Sequence, residues 1–91
     1  MELEQLRIFI SVAETGSFTK GAKRLYISHS TTSRAIAALE EELGVRLFER
    51  NNRISALTPA GKILLEEAGK IVTSLDTLRE KVLSEERDNE R

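Results

Sequence analysis

The sequence predicts a mainly α fold, in which three short helices and a small β-hairpin are followed by one long helix. Three observations carry that expectation. Apolar residues recur at steps of three and four through most of the chain, an Asn-containing polar tip divides two short apolar pieces near its middle, and a threonine–proline pair opens a periodic run that persists almost to the C-terminus. At 91 residues there is room for one modest core.

Leu3, Leu6, Phe9, Ile10 and Ala13 form the apolar stripe of a first amphipathic helix over 3–13, and Gly16 supplies its stop. A second, short helix is capped by Ser17 or Thr19 and runs to about Tyr26, with Ala22 and Leu25 facing inward. Ser28 caps a third helix that continues to Leu43 and ends at Gly44; Thr32, Ile36, Leu39 and Leu43 share its core face. Leu47-Phe48 and 54–57 flank the polar stretch 49–53 and form the hairpin. Thr58 at the cap and Pro59 at the first helical position open the long helix. Along it Gly61, Leu64, Ala68, Ile71, Leu75, Leu78 and Val82 alternate at steps of three and four, a heptad seam of the kind that pairs helices. Three parts result: a head over 1–58, a linker or dimerisation helix over 59–84, and a polar tail over 85–91 expected to fray.

Composition removes several classes of function. The chain has no cysteine, so disulfides and thiolate metal sites are excluded. His29 is the sole histidine and has no metal or triad partners, the glycines are too scattered for a phosphate loop, and pairs such as Glu66-Glu67 lie on the long helix rather than in a pocket. Neither an enzyme nor a cofactor or metal site is expected. No apolar run approaches the ~18 residues of a membrane span, and the first residues lack a signal-peptide pattern, so a cytoplasmic chain with no membrane contact is expected.

The net charge of −1 conceals a segregated distribution. Nine basic residues face seven acids through Leu65, whereas five basic residues face eight acids from Glu66 onward. Between Gly16 and Leu39 stand four basic residues and no acid. A phosphate backbone responds to such a local patch rather than to the sum.

Two helices joined tightly at Tyr26-Ile27-Ser28 form a candidate helix-turn-helix, with a small residue at Ala22 for close crossing and Leu25 and Ile27 filling the angle. Opposite its core face the third helix carries Ser30, Ser33, Arg34 and Ala37, with His29 at its tip. That face is low and polar enough to enter a major groove about 12 Å wide. The hairpin tip places Arg50 and Arg53 around Asn51-Asn52, suited to the backbone or the minor groove. Taken singly, each feature is also what a solvated helix face or an ordinary surface loop offers; the acid-free stretch beside them favours DNA.

The stretches Leu3-Glu-Gln-Leu-Arg-Ile-Phe, Ala13-Glu-Thr-Gly-Ser-Phe-Thr and Ala22 to Leu25 resemble the opening of a LysR-type bacterial transcriptional regulator. So do Ser28, Ser33-Arg34, Leu39-Glu40, Leu43-Gly44, Leu47-Phe48-Glu49-Arg50 and Leu57-Thr58-Pro59-Ala60-Gly61. The likeness runs without a gap from Met1 to about Leu65 and more loosely along the long helix. It implies a winged helix-turn-helix followed by a linker helix that pairs two subunits. Base contacts would fall on His29, Ser30, Ser33 and Arg34 of a recognition helix over about 29–43. Backbone or minor-groove contacts would come from Lys20, Ser28 and Thr31, and from Arg50 and Arg53 in a wing over about 49–54. The dimer seam would be Leu64, Ala68, Ile71, Leu75, Leu78 and Val82.

A homodimer of this kind implies an inverted-repeat target in double-stranded DNA, with half-sites roughly 10 base pairs or a multiple apart. Regulators of the family continue into a larger effector-binding domain, so a small-molecule effector is expected only through a domain outside these 91 residues. Departures from the family pattern fall on the candidate interface. His29 and Ser30 stand where glutamine and proline are usual, Thr32 where an apolar residue is usual, and Ala37 and Ala38 where long polar or basic residues are frequent. Two alternatives share many of these features: a coiled-coil dimer whose head contacts protein, and another winged-helix regulator such as the molybdate-responsive type.

Overall fold

The computed structural model describes residues 1–51 and 54–89, and of residues 50, 51, 54, 55, 88 and 89 the backbone alone. The elements follow in the order α1 (Leu3–Thr15), α2 (Phe18–Arg24), α3 (His29–Leu43), β1 (Phe48–Asn51), β2 (Ile54–Leu57) and α4 (Pro59–Asn89). The strands pair antiparallel, with Phe48 opposite Leu57 and Asn51 opposite Ile54.

α1 is the centre of the head, packed by α2, α3 and α4. The Glu2 N–H donates to the Gln5 side chain at 2.9 Å at its start, and Gly16, at φ 71°, ends it in the left-handed region that glycine enters without a clash. Because three helices surround it, α1 buries Ile8, Ser11 and Val12 in addition to the Leu6–Phe9 stripe read from the sequence. The core is Leu6, Ile8, Phe9, Val12, Ala35, Ile36, Leu39, Leu47, Phe48 and Ala68. Each fully buried large side chain contributes about 1.5–3 kcal/mol.

Ser17 rather than Thr19 caps α2, its side chain accepting the Lys20 N–H at 3.1 Å. The helix ends at Arg24, short of the expected Tyr26. Tyr26 takes φ 58°, and this left-handed residue turns the Ile27 N–H back onto the Ala22 carbonyl at 3.0 Å, closing the helix. Ala22 is buried as expected, and the residue before it, Gly21, brings α2 close to α1. A Cβ at Gly21 would stand 2.9 Å from the Val12 Cα, and the buried Ser11 hydroxyl donates to the Gly21 carbonyl at 3.0 Å.

The core face of α3 is Thr32, Ala35, Ile36 and Leu39. Leu43, assigned to that face by spacing, is 40% exposed, because the chain turns away at Gly44 before anything covers it. Leu25 is half-buried against the core rather than inside it.

The start of α4 is pinned to the root of the hairpin. The Thr58 N–H donates to the Leu47 carbonyl at 3.0 Å, and its hydroxyl donates to the Arg46 carbonyl at 2.7 Å and accepts the Gly61 N–H at 3.0 Å. Gly61 is needed there, since a Cβ would fall 2.2 Å from the Leu47 carbonyl oxygen. The first part of α4 thus packs on its own head. Of the positions expected in the seam, Gly61 and Ala68 are buried within the chain and Leu64 is partly buried against the core. The helix continues through Asn89, across the polar stretch that begins at residue 85. Glutamate and arginine there are good helix formers and need no burial to stay helical. Projecting from the head, α4 draws the molecule out to 58 × 24 × 18 Å.

Candidate nucleic-acid interface

The amino-terminal turn of α3 is organised by Ser28. Its Oγ accepts the Thr31 N–H at 3.0 Å and donates to the Thr31 hydroxyl at 2.8 Å, with the Ser30 hydroxyl 3.2 Å away. Buried Thr32 returns its hydroxyl to the Ser28 carbonyl at 3.0 Å and turns its methyl group inward. The departure from an apolar residue at position 32 is thereby absorbed. Ser28 spends its oxygen on the cap, which leaves Ser30 and Thr31, both exposed, as the hydroxyls able to reach outward.

His29 is the first residue of the helix and is exposed. Its Nδ1 lies 3.5 Å from the Ser33 hydroxyl one turn on, and its ring sits 6.1 Å from that of Phe18. Ser33 is half-buried, and Arg34 is exposed with no acidic partner among the described residues. Past Arg34 the same face continues with exposed Ala37, which keeps it low. Four of the sequence-predicted base-contact residues therefore share one turn-and-a-half of helix surface.

Lys20 is exposed on α2, whereas Arg24 of the same acid-free stretch is engaged by Glu14 at 2.9 Å. The assignments to the side chains of Arg50 and Arg53 lie outside the described residues; the strands that would carry a wing are present.

Three contributors escaped the sequence reading. Phe18 joins the core to His29, and only a fold could bring those positions together. Tyr26 is 96% exposed at the turn beside Ser28. Glu40 is 10% exposed in its side chain; its carboxylate accepts the Leu47 N–H at 2.8 Å and stands 3.9 Å from Arg46. It ties the end of α3 to the start of the hairpin. An acid four residues before the helix-ending Gly44 was the available signal.

A second surface lies on α4. At about 100° per residue, Ile63, Ile71, Leu78 and Val82 share a side of the helix that adjoins the head-facing side of Gly61 and Ala68. All four are exposed, from 51% at Ile71 to 66% at Ile63. Leu75 is half-buried. Towards the head the stripe meets a shallow apolar groove lined by Leu43, Val45, Ala60 and Leu64. No helix among the described residues is long and apolar enough to cross a membrane.

Residues 3–62 match the family described as bacterial regulatory helix-turn-helix protein, lysR family. An HTH-type transcriptional regulator in the ibpB-leuC intergenic region of Azotobacter vinelandii is 47% identical over 79 residues, covering 87% of this chain and 55% of its own length. The HTH-type transcriptional regulator ClcR of Pseudomonas putida is 46% identical over 86 residues, 92% of this chain and 29% of its own. The chain thus spans about half or less of these curated relatives. Among solved structures, that of a CbnR_DBD–DNA complex superposes with a TM-score of 0.87 at 40% identity, covering 92% of this chain and 97% of that one.

Proposed function

The chain belongs to the lysR family of bacterial regulatory helix-turn-helix proteins, and from that premise we propose that it binds double-stranded DNA sequence-specifically, as a homodimer. The observation that carries the proposal is the amino-terminal half of α3. There His29, Ser30, Thr31 and Arg34 are exposed on a low face without an acid, on a helix whose opposite side is sealed into the core. A helix so mounted enters a major groove with base-reading groups forward. Arg34 is the guanine reader, through a bidentate contact to O6 and N7, and His29, Ser30 and Ser33 contact neighbouring base edges. Lys20, Thr31 and the helix cap at Ser28 hold phosphates, and Arg50 and Arg53 take the backbone or the minor groove.

Pairing goes through α4. Four large apolar side chains exposed along one side of a helix are more than a solvated element needs, and Ile63, Ile71, Leu78 and Val82, with Leu64 and Leu75 at the edge of the stripe, form the seam. Two heads related by a two-fold axis select an inverted repeat, with half-sites roughly 10 base pairs or a multiple apart. The role is binding rather than catalysis, on DNA in the bacterial cytoplasm, and a small-molecule effector would act through a domain outside this chain.

Selection from random duplex DNA, followed by affinity measurement across a salt gradient, tests the proposal. Enrichment of an inverted repeat is expected, with affinity falling steeply as salt rises. Arg34→Ala should cost about 1–3 kcal/mol at the preferred site and relax one position of each half-site. A chain that enriches no sequence would sink the proposal.

A further inference from the structure

Four rings run in contact from the centre of the head to the tip of α3. Phe9 and Phe48, both buried, have centroids 5.4 Å apart; Phe48 meets Phe18 edge-on at 5.6 Å; and Phe18 meets the His29 imidazole at 6.1 Å with 36° between the planes. All three separations lie in the range where aromatic pairs attract. Phe48 opens β1 and Phe18 opens α2, so the first residue of β1 backs the first residue of α2, which in turn meets the first residue of the recognition helix.

We infer that Phe18 is a positioning residue for DNA specificity, acting through His29. This rests on the DNA-binding function proposed above. An exposed histidine at a helix start would otherwise sample several rotamers and lose that freedom on binding. Here the ring is held on one side by Phe18, itself anchored edge-on to a phenylalanine that is 1% exposed. Its Nδ1 faces the Ser33 hydroxyl. Nε2 is therefore the nitrogen left to meet a base.

Ser33 also couples to the tautomer. If Nδ1–H donates to the serine oxygen, Nε2 accepts, as cytosine N4 or adenine N6 requires; if the serine O–H donates to Nδ1, Nε2–H donates to guanine N7 or O6. Phe18 fixes the plane of the imidazole and Ser33 selects its edge. The family's usual glutamine at this position has no ring for Phe18 to hold, so the device is tied to His29.

The experiment compares binding profiles on duplexes varied at every half-site position for four proteins: wild type, Phe18→Leu, His29→Ala and the double variant. Phe18→Leu is expected to reduce the preference at one position by roughly two- to tenfold, the range for ordering one side chain, while other positions keep theirs. In the His29→Ala background the same change at Phe18 should alter nothing at that position. Phe18→Tyr, which keeps the ring, should retain the wild-type profile.

Should Phe18→Leu lose its helical circular dichroism, Phe18→Met serves as a second ring-free variant of similar volume. Nuclear magnetic resonance adds a readout that general destabilisation would not move: the His29 ring protons should lose the ring-current shift from Phe18 in the ring-free variant and keep it in Phe18→Tyr. A uniform loss across all positions, or the same loss with and without His29, would assign Phe18 to packing alone and overturn the inference. An unchanged profile in folded ring-free variants would overturn it too. If the wild type itself selects no sequence, the DNA-binding function fails and takes the inference with it.

Discussion

α3 and α4 carry the same three–four apolar spacing and use it differently. In α3 the stripe is consumed within the chain as far as Leu39: Thr32, Ile36 and Leu39 have no exposure at all, while Leu43 at its end is 40% exposed. In α4 the stripe divides, its head-facing edge at Gly61 and Ala68 sealed against the core and its outer edge at Ile63, Ile71, Leu78 and Val82 open. Nothing in the spacing distinguishes the two cases. What separates them is which neighbour reaches the helix, and for α4 that is settled by a missing side chain at Gly61, which lets the helix lie against the Leu47 carbonyl before running on past the end of the head.

The contrast can be broken most sharply at Ile36. Ile36→Ala should cost about 3 kcal/mol of unfolding free energy, by the loss of a buried side chain and the cavity left behind, measured by urea titration. A loss below about 1 kcal/mol would mean that α3 is not sealed as described.

Two glycines of α4 sharpen it next, because they should respond with opposite signs. Gly61→Ala drives a methyl group into the Leu47 carbonyl and should destabilise by about 1–3 kcal/mol. Gly69→Ala meets nothing within 4 Å and should stabilise by about 0.5–1 kcal/mol through better helix propensity. Equal effects at the two sites would show that α4 is not held at its start.

On the open edge, Leu78→Ala is expected to leave the monomer within about 0.5 kcal/mol of wild type while weakening self-association about tenfold, followed by sedimentation over a concentration series. Leu78 is a cleaner site than Leu75, whose partial burial mixes folding with pairing. An unchanged assembly would move the contact elsewhere.

The smallest effect lies at the chain start. The Met1 amine, 2.8 Å from Glu42 and hydrogen-bonded to it, has its pKa raised above the usual value near 8.0. A base whose folded pKa is raised stabilises the fold below its unfolded pKa, and that contribution is lost as pH rises through the folded value. The melting temperature should therefore fall slightly across the range above about pH 8, and Glu42→Gln should flatten that fall. Identical pH profiles for the two proteins would show that the tie adds nothing.

Much of the architecture was legible because its punctuation is chemical. Gly16, Gly44, Ser28 and the Thr58-Pro59 pair are residues whose backbone or side-chain chemistry ends or starts helices locally, and each does so here. The candidate base-reading set was legible for the same reason, since residues one turn apart on a helix share a face wherever the helix is placed. What stayed hidden was long-range. The turn at Tyr26 uses a residue type that rarely takes a positive φ, and only the Ala22–Ile27 hydrogen bond makes it intelligible. Leu43 obeys the core spacing and is exposed because the chain leaves at Gly44. Phe18 and His29 are 11 positions apart, with nothing in either residue to announce the other. The role of Glu40 is set by a backbone N–H seven residues on.

That last contact has a mechanical side. Glu40 bonds the end of α3 to Leu47, and Thr58 grips Arg46 and Leu47 from the other direction, so the root of the hairpin is held from both flanks. A recognition helix and a hairpin clamped at a common base behave as the two jaws of a locked caliper. On the binding mode proposed above, in which both contact the duplex, the distance between them is given, and the duplex must supply whatever adjustment of groove width or bend is needed. The stiffness of base steps that no side chain touches then enters the choice of site, and a chain in which Glu40→Ala loosens the caliper should tolerate stiffer DNA between its contacts.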